Sequence, residues 1–191
     1  MPNRSTGWIT RIASAMGGFV AHRDPRMAYG NLIAVMVGSN QPLFPLTLYL
    51  VLGDAARPSL WGMISMLFFC AVPLVARSNV SAAKLLLSLY ASLHTAAYVL
   101  LMGQGAGFEL YFLPCILLSA LLFPARQRLL GWALCAVPAL LFFAVQRLAG
   151  QAGQFGAEAV ASLWQVNAIS VACLTAMMGM LAPAPRDRYP S

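Results

Sequence analysis

Six apolar segments fill most of this 191-residue chain, and the short polar breaks between them carry nearly all of its charge. Each segment has about the 17–25 residues that an α-helix needs to cross a ~30 Å hydrocarbon core. The segments cover residues 28–53, 60–76, 85–102, 107–123, 129–145 and 159–181. We therefore expect an all-α integral membrane protein, built as a bundle of six transmembrane helices.

The composition supports this class of protein. Hydrophobic residues make up 60% of the chain and charged residues 9%, with a mean hydropathy of +0.75. A soluble domain of ordinary composition has about 25% charged residues. We expect residues 1–27 to form a cytoplasmic N-terminal segment, 28–181 the transmembrane domain, and 182–191 a cytoplasmic tail.

The basic residues alternate between the two ends of the predicted helices. Counted along the chain, the terminal segments and breaks on one side of the predicted membrane contain four, two, two and two Lys or Arg residues. The breaks on the other side contain one, none and one. The positive-inside rule places the richer side in the cytoplasm, so both termini should be cytoplasmic, in a bacterial inner membrane. Because the charge is spread over loops and not clustered on one face, we expect no nucleic-acid partner.

The segment before the first apolar block has the pattern of an interfacial amphipathic helix. Its apolar residues recur at helical spacing: Trp8, Ile9, Ile12, Met16, Phe19 and Val20. Arg11 falls on the opposite face, where it would lie near anionic headgroups. The alternative is a frayed tail, which Gly17 and Gly18 favour.

Polar side chains interrupt three of the apolar segments at similar depth. Asn40 and Gln41 precede Pro42 in the first segment, His94 is central in the third, and Asn167 lies in the sixth. Pro42 should kink its helix near the middle. These groups either form hydrogen bonds that hold the bundle together or line a ligand or proton site. In both cases we expect His94 to point inward, towards polar residues of the first or sixth segment.

A glycine-rich turn, residues 103–107, joins the third and fourth segments and makes them antiparallel neighbours. Glu109 and Tyr111 follow it at the start of the fourth segment, where a capped helix start would also explain them. We expect an outward-opening cavity with His94 at its floor and Glu109 and Tyr111 at its lip. The predicted ligand-binding residues are His94, Glu109, Tyr111, Asn40, Gln41 and Asn167.

No pattern indicates a metal, a cofactor or catalysis. The four cysteines lie in four different segments without CxxC spacing, which is typical of apolar packing groups: Cys70, Cys115, Cys135 and Cys173. A b-type haem needs two axial ligands, and His22 lies before the first segment, too far from His94 to share an iron. Catalytic motifs and paired carboxylates within the segments are also missing, so we expect no enzyme.

One stretch of the chain resembles a known family. A central His94 and the glycine-rich turn are followed by Gly107-Phe108-Glu109-Leu110-Tyr111-Phe112 and an apolar run that closes with Leu121-Leu122-Phe123. Over residues 85–130 this pattern resembles the six-helix membrane modules at the amino terminus of bacterial nucleotide cyclases and diguanylate cyclases. The resemblance implies a sensor or anchor for a cytoplasmic output domain. Ten residues follow Leu181, so we expect the module to act alone, through a partner chain, or as a truncated product.

The leading functional hypothesis is a membrane sensor or anchor that binds a small apolar or amphiphilic signal. Its expected partners are the lipid bilayer, a cytoplasmic cyclase or kinase, and a second copy of the chain. The alternative is a small transporter or permease-like subunit, because 70–73 and 135–138 repeat Cys-Ala-Val-Pro in oppositely oriented helices. A membrane subunit of a redox complex is a third hypothesis.

Overall fold

The computed structural model describes residues 14–152 and 155–183, and eight α-helices lie in this part of the chain. They are α1 (described over 14–20), α2 (Pro25–Asn40), α3 (Leu43–Leu52), α4 (Ser65–Ser78), α5 (Val80–Met102), α6 (Phe112–Leu122), α7 (Arg128–Leu148) and α8 (Ala157–Leu181). Three 3-10 segments connect them: Gly53–Ile64, Phe108–Tyr111 and Ala125–Gln127. The predicted all-α class is confirmed.

Four helical stretches of the described chain are long and apolar enough to cross a bilayer. They are Gly53–Ser78, Val80–Met102, Ala125–Leu148 and Ala157–Leu181. Phe108–Leu122 is also apolar but shorter, and the first predicted segment is divided between α2 and α3. The protein is therefore a membrane protein with several apolar helices, whereas a count of six spans stays a prediction.

The division of the first segment lies at Pro42, where the sequence predicts a kink. Pro42 has no amide hydrogen to continue the helical ladder. The carbonyl of Gly38 instead accepts a hydrogen bond from Gln41 N–H at 3.2 Å, and α3 begins at Leu43. Gln41 is thus held at the junction between two helices.

The break expected between the first two segments is a 3-10 helix. Gly53, with φ of 65°, ends α3 in a conformation that favours glycine, and the 3-10 segment that it opens contains Pro58. Ser59 Oγ donates to the carbonyl of Pro45 at 3.3 Å, and the Tyr98 hydroxyl donates to the carbonyl of Ser59 at 3.0 Å. These bonds fix the segment against α3 and α5.

Helix α5 is central, with α2, α4, α6 and α7 all packed against it. One end of the bundle, which we call the basic end, is held together by charged side chains. Lys84 Nζ donates to Asp24 Oδ2 at 2.6 Å. Arg26 Nη1 donates to the carbonyl of Leu121 in the last turn of α6 at 3.0 Å and to that of the next residue after the helix, Phe123, at 3.1 Å. The start of α2 is thereby fixed to α5 and α6.

Helix α1 lies at the same end. Asn31 Nδ2 donates to the carbonyl of Val20 at 3.1 Å, and the Arg77 guanidinium lies 5.7 Å from the centre of the Phe19 ring. Met16 is 49% exposed. Trp8, Ile9 and Ile12 of the predicted interfacial helix lie outside the described residues, as do residues 184–191 of the predicted tail.

The opposite end, which we call the glycine end, is closed by two loops that pair with each other. Gln104 N–H donates to the carbonyl of Gly150 at 2.9 Å, and Ala152 N–H donates to the carbonyl of Gln104 at 3.0 Å. The Gln104 side chain also caps α7, because its Nε2 is 2.9 Å from the carbonyl of Gln146. This pairing joins the α5–α6 turn to the α7–α8 loop.

Candidate ligand site

His94 lies midway along α5, and both of its ring nitrogens have partners on other parts of the chain. Nε2 is 3.1 Å from Oε1 of Gln41, and Nδ1 is 2.8 Å from Oγ of Ser65. Because a carbonyl oxygen only accepts, Nε2 carries a hydrogen, and in the neutral ring Nδ1 then accepts from the Ser65 hydroxyl. A neutral imidazole therefore satisfies both bonds, and the predicted approach of His94 to the first segment is confirmed.

Aromatic rings surround the imidazole. Tyr90 and Tyr98, one helical turn to either side on α5, lie with ring centres 6.0 Å and 4.9 Å from that of His94. Phe69 of α4 approaches edge-on at 5.9 Å. Such contacts fix a ring in one orientation. His94 is therefore positioned before any ligand arrives.

A cavity of about 340 Å³ lies beside this cluster, between α2, α5, α6 and α8. Its volume is within the range of small-molecule sites, roughly 300–1,000 Å³. Its apolar walls come mainly from Ile33, Met36, Val37, Phe44, Phe69, Leu87, Ala91, Phe108, Pro114, Leu118, Leu174, Met177 and Met178. Its polar and thiol groups are Asn40, Gln41, His94, Thr95, Tyr98, Tyr111, Cys115, Ser170 and Cys173. Apolar walls with a few converging polar groups are typical of a ligand site.

No aspartate, glutamate, lysine or arginine is among the described residues that line the cavity. The described chain also holds no group of three or more His, Cys, Asp and Glu placed to bind a metal ion. The chemistry of this lining is therefore hydrogen bonding and apolar contact.

Four of the six predicted site residues line the cavity, namely Asn40, Gln41, His94 and Tyr111. The structure does not bring Glu109 or Asn167 to its walls. Asn167 is fully buried at the glycine end, where Nδ2 donates to the carbonyl of Ala106 at 2.8 Å. Glu109 lies on the 3-10 segment before α6, and its Oε2 is buried without a hydrogen-bond partner in the described chain.

Four polar residues of the site were not among the predicted ligand-binding residues: Ser65, Thr95, Tyr98 and Ser170. Tyr98 could have been found, because it follows His94 by four residues and thus shares its face of α5. Ser170 lines the cavity from α8 and forms a side-chain hydrogen bond with Tyr111. Ser65 begins α4 just after the 3-10 segment, and no sequence pattern marks it, because serine is common in membrane helices.

The fold and the uncharged cavity define the class of this protein. It is a helical membrane bundle that can hold a small molecule among its helices. A family model described as MASE7 matches residues 22–182, so the chain belongs to the MASE7 family. MASE domains are membrane-associated sensor domains. No curated protein matches the chain, and no solved structure matches it.

Proposed function

We propose that this domain binds a small apolar or amphiphilic molecule in the cavity and passes the signal to a cytoplasmic cyclase or kinase. The observation that supports this most is the hydrogen-bonded cluster of Gln41, His94 and Ser65 beside a cavity whose walls are mainly apolar. The domain itself performs no catalysis in this proposal. A partly buried polar cluster beside a cavity offers a ligand both orientation and selectivity.

Helix α8 is the element best suited to carry the signal. Fewer residues of α8 than of α5 are buried inside the bundle, 17% against 44% over their most apolar stretches, so α8 has fewer packing contacts to rearrange. It lines the cavity through Ser170, Cys173 and Leu174 and ends at the basic end. A ligand between α2 and α8 would change the position of α8 relative to α2, by binding one arrangement better than the other.

In the orientation that we propose, the basic end faces the cytoplasm of a bacterial inner membrane. Arg23, Arg77 and Arg126 lie there and are exposed. Two further crossings then add to the four long helical stretches and would place both termini inside. One is formed by α2 together with α3, and the other by the short segment Phe108–Leu122. A second copy of the chain is the proposed partner in the bilayer.

Replacement of His94 by alanine is expected to weaken ligand binding about tenfold, the equivalent of one to two hydrogen bonds. The measurement is the thermal unfolding of the protein in lipid nanodiscs, with increasing mole fractions of decanol or decanamide. These probes combine an apolar chain with a neutral polar head, as the cavity walls require.

Leu93→Ala is the matched control, because Leu93 is the neighbouring residue on α5 and is 55% exposed on the outer surface of the bundle. It should keep the ligand-induced shift in unfolding temperature. Equal shifts in His94→Ala and the wild type, or no shift with either probe, would contradict the proposed function.

A further inference from the structure

We propose that the cavity opens sideways to the bilayer through a gap between α2 and α8, and that it takes a single-chain amphiphile with an uncharged head. The chain of the ligand points to the basic end, and the head lies at Gln41 and His94. This inference rests on the proposed function and adds the route of entry, the chemistry of the head and the orientation of the ligand.

The walls of the cavity reach the outer surface on two facing helices. Met36 is 37% exposed on α2, Asn40 is exposed at the end of the same helix, and Cys173 is exposed on α8. At the basic end the two helices meet, because the Tyr29 hydroxyl donates to the carbonyl of Met178 at 3.1 Å. The gap therefore lies along the sides of the helices, and α8 is one of the stretches long and apolar enough to cross a bilayer.

At the glycine end the two loops are joined by backbone hydrogen bonds, which favours an entrance along the sides of the helices. Gln104 bonds with Gly150 and Ala152, and Asn167 bonds with Ala106 below the turn. Because a lipid-soluble molecule is already concentrated in the bilayer, a side entrance lets it reach the cavity without passing through water.

The polar groups of the cavity lie nearer the glycine end than its leucines and most of its methionines do. At 1.5 Å per residue, Leu87 is roughly 10 Å from the start of α5 at the basic end, whereas His94 is roughly 21 Å and Tyr98 roughly 27 Å from it. On α8, Met178 lies roughly 5 Å and Ser170 roughly 16 Å from the end of the helix at Leu181. An amphiphile is therefore accommodated with its chain among the leucines and methionines and its head at the polar level.

The head must be uncharged. None of the described lining residues carries a formal charge, and the imidazole is neutral in its hydrogen-bonded arrangement. An ionised head would lose its hydration without gaining an opposite charge, which is costly in an apolar cavity. Hydroxyl, carbonyl or amide heads could instead exchange hydrogen bonds with Gln41, His94 or Tyr111.

The orientation is tested by photolabelling of the wild-type protein in nanodiscs with two decanol analogues. One carries a diazirine at the chain end, and the other carries it next to the hydroxyl. We expect the first to label peptides that contain Leu87 or Met177–Met178, and the second to label peptides that contain His94 or Tyr111. Excess decanol should compete with both. The reverse pattern, or the same peptides with both probes, would overturn the proposed orientation.

The route is tested by Cys173→Trp, which places a large side chain in the gap, with Ala172→Trp as its control. Ala172 is the preceding residue, is exposed and does not line the cavity. We expect the initial rate of photolabelling after addition of the probe to fall about tenfold in Cys173→Trp, because an obstructed gap slows association. It should be unchanged in Ala172→Trp. If both variants label as the wild type does, the side entrance is wrong.

The head chemistry is tested by comparing decanol with decyltrimethylammonium and decyl sulfate at equal mole fractions in the bilayer. We expect at least about a tenfold preference for decanol, because either charge would be buried unpaired. Equal His94-dependent binding of all three would refute the uncharged head but leave the proposed function standing. Absence of His94-dependent binding for every probe would instead remove the proposed function itself.

Discussion

Gly103→Ala is expected to destabilise the protein by roughly 3–5 kcal/mol, the sum of a backbone strain and a steric clash. Gly103 has φ of 85° and ψ of 166°, a region that is essentially restricted to glycine. A Cβ atom there would lie 2.6 Å from the backbone N and Cα of Ala152. Backbone cannot rotate away as a side chain can, so the two loops at the glycine end must separate. The measurement is the free energy of unfolding in nanodiscs or mild detergent.

Gly105→Ala is the matched control for this prediction. Gly105 lies in the same turn with φ of 88°, but an added Cβ would meet only the Gln151 side chain, at 3.7 Å. Its substitution should therefore cost only the backbone strain, about 1–2 kcal/mol. Equal losses in the two variants would show that the approach of Gly103 to Ala152 contributes nothing to stability.

Asp24→Asn is expected to destabilise the protein by roughly 2–4 kcal/mol, because it leaves the Lys84 ammonium buried without its counter-ion. Lys84 is 4% exposed, and its Nζ is 2.6 Å from Asp24 Oδ2. Asparagine is as good an N-cap as aspartate, so it can still accept the Arg26 N–H at the start of α2. The loss therefore reports the ion pair and not the cap. Denaturant or thermal unfolding of the purified protein measures it.

Lys84→Met and the double variant complete the comparison. The Asp24 side chain is 32% exposed, so an unpaired Asp24 carboxylate in Lys84→Met should cost less stability than the unpaired, buried Lys84 ammonium in Asp24→Asn. The double variant leaves neither charge unpaired, so its stability should be closer to that of the wild type than the stability of Asp24→Asn is. An Asp24→Asn variant as stable as the wild type, or a double variant less stable than both single ones, would contradict the account of this ion pair.

The ion pair also predicts a dependence on acid. Burial tends to raise the pKa of Asp24, but the hydrogen bond and charge of Lys84, with the N–H groups of Arg26 and Met27, together lower it below its ordinary value of 3.8. A carboxyl whose pKa is lower in the folded state stabilises the fold above its unfolded pKa. This contribution should fall as the pH drops below about 4 towards the folded pKa, and the fall should be smaller in Lys84→Met, which keeps only the N–H groups of Arg26 and Met27 at the carboxylate.

The sequence predicted those features of the fold that follow from composition and single residues. Helix content follows from the apolar segments, and the break at Pro42 follows from a missing amide hydrogen. The 3-10 segment Gly53–Ile64 could not be predicted, since its hydrogen bonds to Pro45 and Tyr98 are tertiary. The length of α6 was also overestimated, because residues Phe108–Tyr111 form a separate turn of 3-10 helix.

The sequence predicted how far along their helices the polar residues lie, but not which face of α8 turns towards the cavity. Gln41, His94 and Asn167 were expected at similar depth, yet Asn167 lies on the part of α8 that packs against Ala106 and Gly107. The axial rotation of a helix is set by its neighbours, and an apolar helix such as α8 has little pattern from which to infer it. Ser170, three residues further along, reaches the cavity instead.

Filling the cavity tests most directly whether the signal binds inside this bundle. Ala91 lines the cavity on α5 and is 9% exposed, whereas Ala97 on the same helix is exposed and lies outside the lining. We expect Ala91→Phe to abolish the decanol-induced rise in unfolding temperature in nanodiscs while the ligand-free protein still unfolds cooperatively. Ala97→Phe should retain the rise. A rise that is the same in both variants would mean that decanol binds elsewhere and would contradict a ligand site at His94.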